Sequence, residues 1–249
     1  MIMTKKLFVV SDIHSFYTPL KKALDEAGFD PNNKYHWLIV CGDAFDRGGE
    51  SEEVLHFLMS LERKVLIKGN HDILLEQLCL LEDPHSYDYS NGTTKTVEDI
   101  GNMGMGYPFD ECCRRTYNKT AAYRDQLVNY FETENYIFVH SWIPTLNGGY
   151  YNFDPDWREA SDDRWEEAMW RNPFDMHFLG LNQTGKTIVF GHWHCSAGHK
   201  LLGRSKDELG RYAIWEPCYA NGIIGIDRCT ARTGEVNVLV LTDNFLGKE

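Results

Sequence analysis

An α/β fold is what this chain predicts, and three observations predict it. Short apolar, β-branched runs recur at residues 7–10, 37–40, 65–67, 136–139, 187–190, 223–226 and 236–241, with the length and character of strands buried on both faces. Amphipathic helical patterns fill several of the intervals between them. Five of the runs lead within two residues into Gly, Asp, Asn or His, where a chain alternating strand and helix places its functional loops.

In chain order, Leu7-Phe8-Val9-Val10 reads as the first strand. Thr18 followed by Pro19 reads as an N-cap and first helical turn, with Leu20, Ala23, Leu24 and Ala27 on one face. Val54, Leu55, Leu58 and Leu61 make a second helical face, and Ile73, Leu74, Gln77, Leu78 and Leu81 a third. Tyr123, Leu127, Tyr130 and Phe131 make a fourth at the same spacing. Segment 82–116 is rich in Gly, Asp, Asn and Tyr without a long periodic run, which predicts a loop-rich insertion or lid. No internal repeat, low-complexity tract or Pro/Gly/Ser-rich linker divides the chain, so one domain over 1–249 is expected.

The chain is long enough, at 249 residues, to bury a large core without disulfide staples. With 43% hydrophobic and 25% charged residues it is not a disordered chain. Lys plus Arg number 25 against 37 Asp plus Glu, a formal net charge of −12. General nucleic-acid binding needs a field of Lys and Arg and is not expected, although a locally basic or metal-charged pocket remains compatible with that balance. No apolar run is long enough for a membrane span. Seven cysteines without a CxxC pair read as reduced thiols, and the expected location is cytoplasmic.

Chemistry is concentrated where the runs end. These ends read Ser11-Asp12-Ile13-His14, Cys41-Gly42-Asp43-Ala44-Phe45-Asp46-Arg47-Gly48, Lys68-Gly69-Asn70-His71-Asp72, His140-Ser141-Trp142, and Gly191-His192-Trp193-His194. Neighbouring strands would deliver all of these to one rim. Clustered carboxylates and imidazoles repel or stay unsatisfied unless a cation binds among them. A pair of divalent ions sharing one carboxylate answers that need, and mixed O and N ligands without thiolate suit Mn, Fe or Zn. Taken singly, Asp12 with His14, or His140 alone, is the kind of pattern structural residues also produce. The two acids, Arg and two Gly within the seven residues 42–48, and the Gly69-Asn70-His71-Asp72 run, have no comparable structural role beyond a tight turn.

With those residues in place, the chain resembles the calcineurin-like metallophosphoesterases. The likeness is to the branch holding the phosphoprotein phosphatases, the bacterial and phage Ser/Thr phosphatases and the symmetrical dinucleoside tetraphosphatases. It runs in order from Asp12 to His194, with an echo at Gly225-Ile226-Asp227. The resemblance implies a four-layer αββα sandwich and two divalent metal ions, Mn first, with Fe or Zn as alternatives. It implies that Asp12, His14 and Asp43 hold the first ion. Asp43 would bridge to a second held by Asn70, His140 and His192. His71 would be the general acid, oriented by Asp46, and Arg47 would clamp the phosphate. Arg171, in Trp170-Arg171-Asn172-Pro173, is similar to a second phosphate-binding arginine. Attack would come from a bridging water activated as hydroxide, with no covalent phosphoenzyme.

The chain departs from the branch at several positions. Asp72 stands where Glu is usual, and Trp142 follows the His140-Ser141 pair where the branch has small residues. His194 makes Gly-His-x-His, the pattern of the phosphodiesterase relatives, and that resemblance would make it a further ligand for the first ion. Trp142 and Trp193 would either pack or line an aromatic substrate surface. Ser90-Asn91-Gly92-Thr93-Thr94-Lys95-Thr96 is similar to a stretch near the substrate groove of bacterial relatives. The leading reading is a phosphomonoesterase acting on phosphoprotein or a generic phosphate ester. Its alternatives are a dinucleoside polyphosphate hydrolase, then a phosphodiesterase, then a non-catalytic metal-binding scaffold, which the presence of His71, Asp46 and Arg47 disfavours.

Overall fold

In the computed structural model, residues 5–147 and 151–244 are described. The elements run β1 Lys5–Val10, α1 Tyr17–Glu26, β2 His36–Cys41, α2 Ser51–Ser60, β3 Lys64–Ile67 and α3 Asn70–Leu81. There follow α4 Ser86–Asn91, α5 Thr93–Ile100, α6 Phe109–Lys119 and α7 Ala121–Arg124. Then come β4 Leu127–Val128, β5 Phe131–Glu132, β6 Tyr136–Phe138, β7 Thr145–Asn147 and β8 Tyr151–Phe153. The chain continues with α8 Asp162–Ala168, α9 Pro173–Phe178, β9 Thr187–Phe190 and α10 Cys195–Leu201. It closes with β10 Cys218–Ala220, β11 Ile223–Gly225, α11 Thr230–Thr233 and β12 Leu239–Asp243.

Two five-stranded sheets, ordered β12-β1-β2-β3-β4 and β10-β11-β9-β6-β5, form the centre, with β7 and β8 as a separate ribbon. Strand periodicity builds the layers, because successive side chains point to opposite faces. Leu7, Val9, Ile39, Cys41 and Ile67 of the first sheet meet Phe138, Val189, Ile224 and Ile226 of the second between the sheets. Their neighbours Phe8, Val10, Leu38, Val40 and Leu66 face the other way, onto Leu20, Leu24, Val54, Leu58, Leu75 and Leu78 from α1, α2 and α3. On the second sheet Ile137, Ile188 and Phe190 pack against Trp165, Phe174, Met176 and Cys195 from α8, α9 and α10. The result is the αββα sandwich, and its strands are near-continuously apolar because both faces are buried.

Register sets the site's position. β1, β2 and β3 pair in parallel, with Val10 opposite Val40 and Cys41 opposite Ile67. β6, β9 and β11 also pair in parallel, with Phe138 opposite Val189 and Phe190 opposite Gly225. The carboxyl ends of each parallel set therefore finish level.

Four expectations are corrected. Segment 82–116 is built mostly of helix, as α4, α5, a 3₁₀ turn at Met103–Met105 and α6. Gly92 divides α4 from α5 in a left-handed conformation, so neither helix is long enough to show a period. Leu127–Val128 and Phe131–Glu132 are two short strands rather than one helix, since Leu127 and Val128 pair with Leu66 and Ile67, and Phe131 with Phe138. Helix α1 starts at Tyr17, so Thr18 lies inside its first turn and Pro19 after it. The Thr18 N–H donates to Glu50 Oε2 at 3.0 Å, and its hydroxyl donates to the same carboxylate. That acid occupies the helix N-terminus in place of a local cap. The last strand begins at Leu239, three residues beyond the start of the apolar run.

Candidate metal centre and active site

The segments leaving β1, β2, β3, β6 and β9 carry Asp12, His14, Asp43, Asn70, His71, His140 and His192 into one cluster, buried except for the half-buried His192. The backbone there bends sharply. Asp12, His14, Asp43, Asp46, Arg47 and His192 all have left-handed φ, between 48° and 76°, which is uncommon outside glycine and concentrates where a site fixes the chain. Glycine is needed where the chain crosses the ligands: a Cβ on Gly69 would run into Asp43 Oδ1, and one on Gly191 into Asp12 Oδ2.

Asp43 is the pivot. Its Oδ2 lies 3.9 Å from Nε2 of both His14 and His71, and its Oδ1 lies 3.5 Å from His140 Nε2. Two groups of ligand atoms share it, His14 with Asp43 and His71, and Asp43 with His140 and His192. Asp12 Oδ1 stands 3.9 Å from His14 Nε2 and adjoins the first group.

Tautomers are set from behind. His14 Nδ1 donates to the Phe45 carbonyl at 2.9 Å and His140 Nδ1 to the Cys41 carbonyl at 2.9 Å, leaving each Nε2 a lone pair aimed inward. His140 Nε2 then faces Asn70 Oδ1 at 2.7 Å and His192 Nδ1 at 3.1 Å. The His140 Nε2 lone pair and the Asn70 carbonyl oxygen, both acceptors turned toward each other at 2.7 Å, would be satisfied by a cation, so the donor set fits a pair of divalent ions on either side of Asp43.

Burial and neighbouring charges set the protonation states of these groups. Burial raises the Asp12 carboxyl well above its usual range, and Asp227 and Asp43 add to the effect. Burial brings His14 and His192 down to about 3, with Arg47 and His140 respectively as the next cause. Burial opposes ionisation of Asp43, yet His140, His71, His14 and His192 together hold it below the ordinary carboxylate range. His14 and His192, held neutral, are in the state metal ligands require, whereas Asp12 would give up its proton on binding a cation.

His71 stands apart. Its Nδ1 donates to Asp46 Oδ2 at 2.7 Å, and its Nε2 is 3.5 Å from Arg47 Nη2. Burial favours the neutral ring, but Asp43 and Asp46 outweigh it and raise His71 above its usual value. Asp72 supports this helix start, accepting from the Gly69 N–H at 2.8 Å and the Tyr123 hydroxyl at 2.9 Å.

A cavity of about 270 Å³ opens over the cluster, lined by Arg47, Asn91, Trp170 and Trp193 as well as the metal-centre residues. A larger groove of about 840 Å³ runs along β4 and β5, but no cluster of ligand atoms lies in it among the described residues. The chemistry therefore belongs to the smaller cavity.

Two sequence-predicted residues are not brought into the cluster. His194 lines the cavity, but its Nδ1 faces Asp227 Oδ2 at 3.7 Å, and Asp227 with Cys229 raises it to about 10. Arg171 is bound to Glu167 and the Tyr151 hydroxyl, with its guanidinium 4.2 Å over the Tyr151 ring, and does not line the cavity. Trp142 is buried against Phe190 and packs rather than facing substrate. Sequence reasoning gave no role to Asp227, a buried acid beside Asp12, or to Trp170, 53% exposed at the cavity mouth. Asp227 follows the strand at 223–225 as the other site residues follow theirs, and that position was the available signal.

The model of the calcineurin-like phosphoesterases matches residues 5–196 of this chain. The chain belongs to that family. The phosphoesterase is 42% identical over 138 residues to the symmetrical bis(5'-nucleosyl)-tetraphosphatase of Pseudomonas fluorescens, covering 55% of this chain and 43% of that protein. It is 39% identical over 70 residues to the enzyme of the same name from Thioalkalivibrio sulfidiphilus, 28% of this chain and 25% of that one. These matches thus span less than half the length of the curated relatives. Among solved structures, a candidate diadenosine tetraphosphatase covers 98% of this chain and 96% of its own at 17% identity and a TM-score of 0.50. The cold-active protein-tyrosine phosphatase of a psychrophilic Shewanella covers 96% and 76% at 16% identity and 0.54. Both likenesses speak to the fold.

Proposed function

We infer that this phosphoesterase hydrolyses dinucleoside polyphosphates, with a symmetrical dinucleoside tetraphosphate as its preferred substrate. The observation that carries the reading is the double ligand cluster sharing Asp43 beneath a cavity that holds Arg47, on a chain whose curated relatives carry the tetraphosphatase name. Those names favour the dinucleotide over the phosphoprotein, which sequence motifs alone placed first. The diesterase reading leaned on His194 as a ligand, and the pairing of His194 with Asp227 supports placing it behind.

Two divalent ions, Mn among the suitable ones, would supply Lewis-acid charge neutralisation and activation of a water nucleophile. Asp12, His14 and Asp43 would hold one, and Asp43, Asn70, His140 and His192 the other. Arg47, at the cavity wall, would bind phosphate oxygens with its forked guanidinium. His71 would deliver the proton to the departing oxygen from Nε2 while Asp46 keeps the ring's other nitrogen protonated and aligned. Opening the central P–O–P bridge adds one water and releases two nucleoside diphosphates. Trp170 and Trp193 offer π faces at the mouth for a base.

Initial rates with Mn²⁺ on diadenosine tetraphosphate, a Ser/Thr phosphopeptide and bis(4-nitrophenyl) phosphate test the assignment. The expected result is the highest kcat/KM on the dinucleotide, with ADP as the sole nucleotide product. A higher value on the phosphopeptide returns the phosphatase reading, and AMP with ATP as products would contradict central cleavage.

A further inference from the structure

Segment 91–96 joins α4 to α5, and it presses on the turn that carries Asp46 and Arg47. The Arg47 N–H donates to the Asn91 carbonyl at 3.1 Å. The Asp46 N–H donates to Thr96 Oγ1 at 3.0 Å. The Thr96 hydroxyl donates to Asp46 Oδ1 at 2.9 Å and the Thr93 hydroxyl to Asp46 Oδ2 at 2.8 Å. Asp46, Thr93 and Thr96 are each 0% exposed. Gly92 closes the contact, since a Cβ there would run into the Arg47 backbone and its own φ is +82°.

We propose that Thr93 and Thr96 are positioning residues for proton delivery to the leaving oxygen, acting through Asp46 on His71. The last torsion of an aspartate is broad and roughly two-fold, so a carboxylate is not oriented by its rotamer alone. Here each oxygen receives one threonine hydroxyl, and Oδ2 also receives His71 Nδ1–H at 2.7 Å. Hydrogen bonds to an ionised acceptor are the strong ones. Two of them from one helix start fix the carboxylate plane, and the plane fixes the imidazole ring whose Nε2 faces the cavity. Neither threonine lines that cavity, so any effect on turnover must pass through Asp46. The helical segment following α3 thereby serves the acid directly, beyond shaping a groove. The proposal rests on the reading of His71 as the proton donor.

The test separates proton delivery from general structural support by varying the leaving group. Proton donation matters most for a poor leaving group and little for a good one. Thr93→Val removes the hydroxyl and keeps the shape. With the Mn²⁺-loaded protein, it is expected to lower kcat about tenfold on an alkyl phosphate and less than about twofold on 4-nitrophenyl phosphate. Thr93→Ser should restore both rates, and Thr93→Val should keep the wild-type metal content. Asp46→Asn should show the same selective loss, with Thr93→Val adding nothing in that background. Equal losses on the two esters, or no loss on either, would overturn the proposal. If His71→Asn itself lowers both rates equally, the proton-donor assignment falls and the positioning role with it. Should Thr93→Val not accumulate as folded protein, Thr93→Ala carries the same comparison.

Discussion

Asp43 Oδ1 faces His140 while Oδ2 faces His14 and His71, so exchanging one oxygen for an amide separates the two halves of the centre. Asp43→Asn is expected to lower kcat/KM by at least about 100-fold, since even outer-shell changes cost 10–100-fold in metal affinity or activity. Steady-state rates over a Mn²⁺ titration would check this, and a variant rescued at saturating metal would oppose a bridging role. Asp46→Asn should behave differently. Asp46 bonds His71 and two threonines, not the ligand lone pairs. That variant should keep its metal and lose about 10²-fold in kcat on esters of poor leaving groups. Arg171 belongs to neither class: its guanidinium is engaged by Glu167 and Tyr151, so Arg171→Ala should leave KM for the dinucleotide within about threefold, less than the loss of a charge-assisted phosphate contact.

At the scale of elements, the two sheets meet through side chains such as Ile39 and Val189, both 0% exposed. Ile39→Ala should destabilise the fold by about 2–5 kcal/mol in urea titrations, the range for truncating a fully buried isoleucine. A second tie joins β12 to the turn between β5 and β6. Asp243 accepts from Thr133 Oγ1 at 2.7 Å, the Asn135 N–H at 3.0 Å and Asn135 Nδ2 at 2.8 Å. Burial raises this carboxyl, but these bonds prevail and hold it below its ordinary value. Its stabilisation is therefore complete above the unfolded-state pKa near 3.8 and fades as pH falls through the lower folded value. The melting-temperature gap between wild type and Asp243→Asn should be full at pH 6 and narrow below about pH 4. The same elements show what a sequence can and cannot disclose. The strand ends were readable because Asp12, Asp43, Asn70, His140 and His192 each follow a short apolar run that only a buried strand explains. The helices at 86–100 were hidden because Gly92 cuts them into short pieces with threonines, not leucines, on their buried side. Leu127 and Phe131 sit four residues apart and imitate a helix, although pairing with β3 and β6 is what decides them. Thr93 and Thr96 reach Asp46 across 47 and 50 residues, a contact no local pattern encodes. Arg171 matched a motif by its neighbours, while Glu167 and Tyr151 determine where its side chain lies.

Across the whole molecule, a formal charge of −12 repels an anionic phosphate ester, so binding one would depend on local positive charge such as that of Arg47. Removing divalent ions should do more than stop turnover. It leaves Asp12, Asp43 and Asp227 buried together, and ligands that bind only the folded state stabilise by mass action, about 2.7 kcal/mol at 100 times Kd. A chelator should therefore lower the melting temperature, and Mn²⁺ should restore it. Among the described residues no helix is long and apolar enough to cross a membrane. The most direct test is a count of ions. Protein stripped with chelator, loaded with Mn²⁺ and desalted should hold two ions per chain by elemental analysis, and Asp43→Asn should hold one at most. One ion in the wild type, or an unchanged count in Asp43→Asn, would contradict a centre bridged by Asp43.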